Sequence, residues 1–190
     1  MTAHDHDSRG GAGHESPLAP GLDPARTALV LIDLMERIVA LPLAPHSGAQ
    51  VLDTALELAR AFRAAGAPVV AVRVRRPGVP EQPPGSELVD TVRESADAVV
   101  VKQTVGAFQD TGLHEELRRR GVTTLVMAGI ATNMGVESTA RAAADLGYRL
   151  VFAADAMSAL TAAEHDASVR LDFPRLGSVV RSADIGFASP

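Results

Sequence analysis

Two charged side chains stand directly after all-apolar runs. Asp33 follows Thr27–Ile32 (TALVLI), and Lys102 follows Ala98–Val101 (AVVV). Short runs rich in β-branched residues suit buried strands. In an open parallel sheet, residues just beyond the carboxyl ends of strands line the ligand crevice. A carboxylate and an ammonium delivered there could move a proton and hold a charged oxygen. Each residue alone has a plainer reading: Asp33 could cap the next turn, and a strand-end lysine is usually a surface residue.

A third stretch carries the same suggestion. Thr123–Arg141 reads TTLVMAGIATNMGVESTAR. Its apolar start, Thr123–Ala128, suits a strand, and Gly129–Asn133 reads as a tight turn. From Met134 onward, apolar and small residues recur at helical spacing. Thr132 or Asn133 could cap that helix. Such a turn aims backbone N–H groups, and the positive end of the helix dipole, at one point. The residue facing that point is Gly135.

The remaining candidates lie on loops. Arg73, Arg75, Arg76 and Gln82 follow or sit near the end of the strand Pro68–Val74, in a segment too proline-rich for a helix. They could meet an anionic ligand. A solvated loop or a subunit contact explains any single arginine as well. Phe108 and Met134 are candidate pocket walls beside Thr132 and Asn133. His165 reads as a packing or supporting residue.

These residues need elements to carry them. Helical periodicity runs from Ser47 to about Ala65, with Val51, Ala55, Leu58, Ala59 and Phe62 on one face. Met35–His46 reads as irregular, and Ser86–Asp97 has room for one short helix. A helix over Gly112–Arg120 ends at Gly121, with Arg118–Arg120 in its last turn, where cations suit the dipole. The helix after Gly135 runs to about Leu146. Arg149–Ala154 reads as a strand ending at Asp155. Thr161–Glu164 is a capping box that opens a helix to about Phe173, which Pro174 breaks. Gly177–Val180 is a sixth strand. Strands alternating with helices imply a parallel sheet covered on both faces.

Composition bounds the function. The 190 residues carry a net charge of −5, which argues against nucleic acid as partner. There is no cysteine, so no thiol nucleophile or thiolate metal site. No membrane span or signal peptide is read, which gives a cytoplasmic expectation. Residues 1–24 read as a flexible tail and 25–190 as the domain. A polar tail does not fix metal-ligand geometry for its His4, His6 and His14.

Four pieces, in order, resemble the isochorismatase-like hydrolase superfamily, which includes nicotinamidases and N-carbamoylsarcosine amidases. They are ALVLID ending at Asp33, VVVKQTVGAF around Lys102, GIATNMGVESTARAAADLGY (Gly129–Tyr148) and DAMSALTAAEHDASVR (Asp155–Arg170). The resemblance implies a three-layer α/β/α sandwich with a six-stranded parallel sheet. It also implies a homodimer or homotetramer and a site of aspartate, lysine and cysteine. The family's cysteine falls on Gly135, and the zinc ligands of nicotinamidases have no counterpart. The expectation is therefore no metal and no cofactor.

True isochorismatases share a glycine at that place. By that likeness, Asp33 would protonate an enol ether, water would capture the cation, and Lys102 or an arginine would hold the anionic substrate. Gln103–Phe108 lacks the arginine and tyrosine expected of true isochorismatases, so the substrate is left as a small, anionic molecule. Ser138 and Thr139, one turn down the helix, should point elsewhere. The alternatives are a catalytically inactive binding or assembly protein, and a lyase or isomerase using Asp33.

Overall fold

The protein is described over residues 21–188 as a computed structural model. His4, His6 and His14 lie outside the described residues. Six parallel strands form one sheet in the order β3-β2-β1-β4-β5-β6. They are β1 (Thr27–Ile32), β2 (Val69–Val74), β3 (Ala98–Lys102), β4 (Thr124–Ile130), β5 (Arg149–Ser158) and β6 (Ser178–Val180). The helices are α1 (Glu36–Val39), α2 (Gly48–Ala64), α3 (Asp90–Ser95), α4 (Leu113–Arg119), α5 (Glu137–Asp145) and α6 (Ala162–Ala167).

The three layers follow from the strand pleat. Successive side chains of β1 point to opposite faces. Leu29 and Leu31 join Val51, Ala55, Ala59 and Phe62 of α2 in one core. Ala28, Val30 and Ile32 join Leu113 and Leu117 of α4 and Ala140 and Ala143 of α5 in the other. With both faces covered, every residue of β1 and β4 is buried, which explains the unbroken apolar runs. Truncating Phe62 to Ala should cost about 3–5 kcal/mol.

The helix starts are set by side chains. Ser47 accepts from the Gln50 amide while the Gln50 side chain accepts from the Ser47 amide, closing a capping box on α2. Thr161 and Glu164 do the same for α6.

Elsewhere the chain departs from the sequence reading. Leu22, placed above in the tail, is buried and bridges to Phe187, and its amide donates to Gly186 O at 2.8 Å. One apolar residue has no periodicity to reveal it. β4 runs on through Gly129 and Ile130. β5 continues past Asp155 to Ser158, because its register with β4 shifts between Met127 and Gly129. Asp155 is an anchor: its carboxylate accepts from the amide and hydroxyl of Ser182. The helix opened by Thr161 is α-helical only to Ala167. It passes through a π turn (Ser168–Asp172) into a 3₁₀ turn that holds Pro174 near its start. There the missing N–H has no helical partner to lose.

Candidate active site

The strand order reverses direction between β1 and β4, the switch point where open α/β sheets bind ligands. Asp33 stands at the end of β1 with φ +52, a left-handed conformation that an aspartate tolerates better than most residues. Its amide donates to Val72 O at 2.9 Å, and its carbonyl accepts from the Met35 amide at 2.8 Å. The chain therefore turns sharply off the sheet and leaves the carboxylate at the crevice. Lys102 ends β3, two strands away, and its side chain spans the end of β2. Its Nζ lies 2.8 Å from Asp33 Oδ2 and also donates to Val105 O. Asp33 is 6% exposed and Lys102 2%.

Burial and the ion pair pull the Asp33 pKa in opposite directions. Burial wins, so the carboxyl is held above its ordinary 3.8. Lys102, then Arg37 and the Val74 amide, pull the value part of the way back down. No hydrogen bond of normal geometry reaches Asp33 Oδ1, which is buried and without a partner among the described residues. One oxygen is thus fixed by Lys102, and the other is uncommitted.

Gly135 completes the group. It lies in a π turn, Thr132–Val136, between β4 and α5. Single π turns inside helical segments recur at functional sites. A Cβ on Gly135 would sit 3.0 Å from Ile32 Cγ2, 3.1 Å from Asp33 Oδ2 and 3.2 Å from Lys102 Nζ. The glycine is therefore pressed against the ion pair. Its carbonyl accepts from the Thr139 hydroxyl at 2.6 Å, and Thr139 Oγ1 accepts from the Ala107 amide at 3.1 Å. Thr139 so ties the loop after Lys102 to the Gly135 turn.

A cavity of about 480 Å³ opens over these residues, lined by Asp33, Arg37, Lys102, Gln103, Thr104 and Gly135. Its apolar wall includes Ile38, Leu41, Leu43, Val74, Ile130 and Leu160. A similar hollow of about 510 Å³ lies at the other end of the strands, by Arg63, Asp97 and Arg120. There the polar groups are already engaged: Arg63 with Glu94 O, Asp97 with the Val69 amide and Arg120 with Glu116. The unpartnered carboxylate oxygen belongs to a residue of the first cavity.

Of the sequence candidates, Asp33, Lys102, Gly135 and Met134 meet at this cavity, with Met134 on its rim at 53% exposed. The others do not line it. Arg73 pairs with Glu87 at 3.2 Å. Arg75 and Arg76 line a separate surface hollow, and Gln82 bonds back to Arg76 and Val79 within its own loop. Phe108 stacks on Tyr148, ring centroids 5.9 Å apart. Thr132 is buried and shares a hydrogen bond with His165 Nδ1 at 2.9 Å, so it does not cap the helix. Asn133, half-buried, makes no cap either. From the sequence, this turn is expected to aim backbone N–H groups at one point; two of them, the Met134 and Val136 amides, donate instead to Ala131 O.

Arg37 was not among the candidates. It lies on α1, within a stretch that reads as irregular because four helical residues are too few for periodicity. A basic residue four positions after a strand-end carboxylate was the only available signal. Among the described residues, no group of three or more His, Cys, Asp or Glu is arranged to hold a metal ion, and no helix is long and apolar enough to cross a membrane.

Comparison with known proteins bears on the family and the fold. The Isochorismatase domain family matches residues 27–184. The chain is 40% identical over 176 residues to the isochorismatase family protein YecD of Escherichia coli O157:H7, covering 83% of this chain and 93% of that protein. An isochorismatase family protein from Burkholderia thailandensis superposes with a TM-score of 0.78 at 40% identity, over 87% of this chain and 96% of that one. N-carbamoylsarcosine amidase from Thermoplasma acidophilum superposes with a TM-score of 0.70 at 28% identity, over 83% and 96% of the two chains. With its cavity at the switch point of a six-stranded parallel sheet and a match spanning nearly all the described residues, this chain belongs to the isochorismatase family.

Proposed function

We propose that the protein is a hydrolase that works without a cysteine nucleophile, using water and Asp33 as general acid on a small anionic substrate such as an enol ether. The observation that carries this reading is the Asp33 carboxyl. It is buried, its pKa is raised, one of its oxygens has no partner among the described residues, and the residue lines a substrate-sized cavity. A carboxyl kept protonated further up the pH scale can donate to carbon, which a surface carboxylate does poorly.

The steps follow from the geometry. The Asp33 proton adds to the terminal carbon of the enol ether double bond, and the ether oxygen shares the positive charge as an oxocarbenium ion. Water adds to that cation, and the resulting hemiketal loses the alcohol to leave a ketone. Asp33 regains its proton as the hemiketal forms. Asp33 Oδ2 stays with Lys102, whose remaining N–H can hold a substrate oxygen.

Gly135 supports the cysteine-free reading, since it stands where the family resemblance puts the nucleophile. No neighbouring hydroxyl replaces a thiol. Thr139 is buried and engaged at both ends, Thr104 donates to Gly106 O, and Ser138 lines a different hollow. A panel of enol ethers and amides tests the proposal with wild type and Asp33→Asn side by side. Enol ether turnover that Asp33→Asn abolishes is the expected result. Amide turnover, or turnover that survives the substitution, overturns it. Binding without turnover points to the catalytically inactive alternative.

A further inference from the structure

Two cations line the cavity among the described residues, and their hydrogen-bond donors are committed differently. Lys102 has three N–H donors, and two are taken by Asp33 Oδ2 and Val105 O. Arg37 has five. Its Nε–H donates to Ser86 Oγ at 3.1 Å, and its Nη groups have no other partner among the described residues. Arg37 is half-buried and shares the cavity with its apolar wall, where a paired anion is screened less than in water.

Arg37 is also held in place. Its amide donates to Gly85 O at 3.0 Å, and the Glu36 amide donates to Glu87 O at 3.1 Å. Gly85 packs so closely that a Cβ there would lie 3.1 Å from the Arg37 nitrogen and 3.2 Å from its Cβ. Ser86 is buried, and Arg73, paired with Glu87, donates to the Ser86 carbonyl at 3.5 Å. The arginine expected to touch substrate thus braces the segment that orients the arginine lining the cavity.

We propose that Arg37 is the carboxylate seat of this cavity, so that its ligand is a compact monocarboxylate with an apolar body. The planar fork of Nη donors matches a carboxylate. A second carboxylate would find only one N–H of Lys102 and the neighbouring Asp33. A phosphate dianion would bring two charges to one guanidinium in a largely apolar cavity, where desolvation opposes it. The seat deepens the proposed function by naming the substrate class, yet it stands on donor geometry and does not require Asp33 to act as an acid.

The test uses the full chain with cyclohexanecarboxylate, its methyl ester and its carboxamide as probes, followed by NMR titration. Wild type should bind the carboxylate at least about ten-fold more tightly than either neutral probe, the size expected for a charge-assisted pair. Arg37→Met should abolish that preference. Ser86→Ala, which frees Nε but keeps the charge, should weaken it in part and serves as the second variant should Arg37→Met not fold. Equal or undetectable binding of the three probes by wild type, or a preference that survives in both variants, overturns the proposal. Asp33→Asn should retain the preference. A loss of turnover and a loss of carboxylate selectivity are thereby told apart.

Discussion

Two sets of polar residues sit at the carboxyl end of the same sheet, and they end up in opposite conditions. Asp33 and Lys102 are buried, joined to each other, and open to a cavity on one side. Arg75, Arg76 and Gln82 lie on a loop that bonds to itself at the surface. Both sets follow strands, and each offers at least one cation that could meet an anion on composition alone. What separates them is the element that carries them. The end of β1 has its direction fixed by strands on both sides, and Lys102, at the end of the edge strand β3, is held by Asp33 and Val105 O. A proline-rich loop has room to satisfy its own polar groups first.

That contrast can be broken from either side. Asp33→Asn should give the largest effect, a loss of about 10²–10⁴ in turnover for a missing general acid, with cooperative melting retained. A small kinetic effect would put the carboxylate on a par with the loop. Gly135→Ala should come next. Its Cβ must displace Asp33 Oδ2 and Lys102 Nζ by a few tenths of an ångström, and about a ten-fold loss of turnover is expected from misplacing the reacting groups.

Thr139→Val should act on stability. It removes a buried donor and leaves the Gly135 carbonyl and the Ala107 amide without their partner, at about 1–3 kcal/mol. Thr139→Ser should recover most of that in a thermal melt. The His165 pKa is lowered below 6.5 by burial and by neighbouring His46. The unfolded chain therefore binds a proton first, and stability should fall as pH drops through 6.5 toward the lower folded value. His165→Asn, which can still bond Thr132, should flatten that part of the profile. At the small end, Arg75→Ala and Arg76→Ala together should leave turnover and carboxylate binding unchanged. A clear loss there would return the loop to the site.

The same contrast explains what could be read from the chain beforehand. β1 and the start of β4 announce themselves because burial on both faces leaves almost no polar residue in them. β3 reads the same way in sequence, yet it is the edge strand and its Val99 and Val101 are exposed, so the expected buried strand is only half-buried. Asp33 and Lys102 stand out as the first charges after apolar runs. Gly135 was legible from its turn. Arg37 was not, because its value depends on Gly85–Glu87 crossing over it, a contact between segments nearly fifty positions apart along the chain. Phe108 looked like a pocket wall for the same reason in reverse: its partner, Tyr148, lies on the far side of α5 in sequence. Residues within one element were legible; pairings between loops were not.

The central claim is that burial outweighs Lys102 at Asp33 and raises its carboxyl pKa above the ordinary 3.8. Its direct test is a ¹³C-NMR titration of protein labelled at aspartate carboxyls, with the Asp33 signal identified by its absence in Asp33→Asn. The account predicts a midpoint above the ordinary 3.8. On that result the folded state binds more protons than the unfolded one, so wild type should lose stability relative to Asp33→Asn as pH rises from 3.8 to the midpoint. A midpoint at or below 3.8 would mean that the ion pair wins, and would contradict Asp33 as the acid.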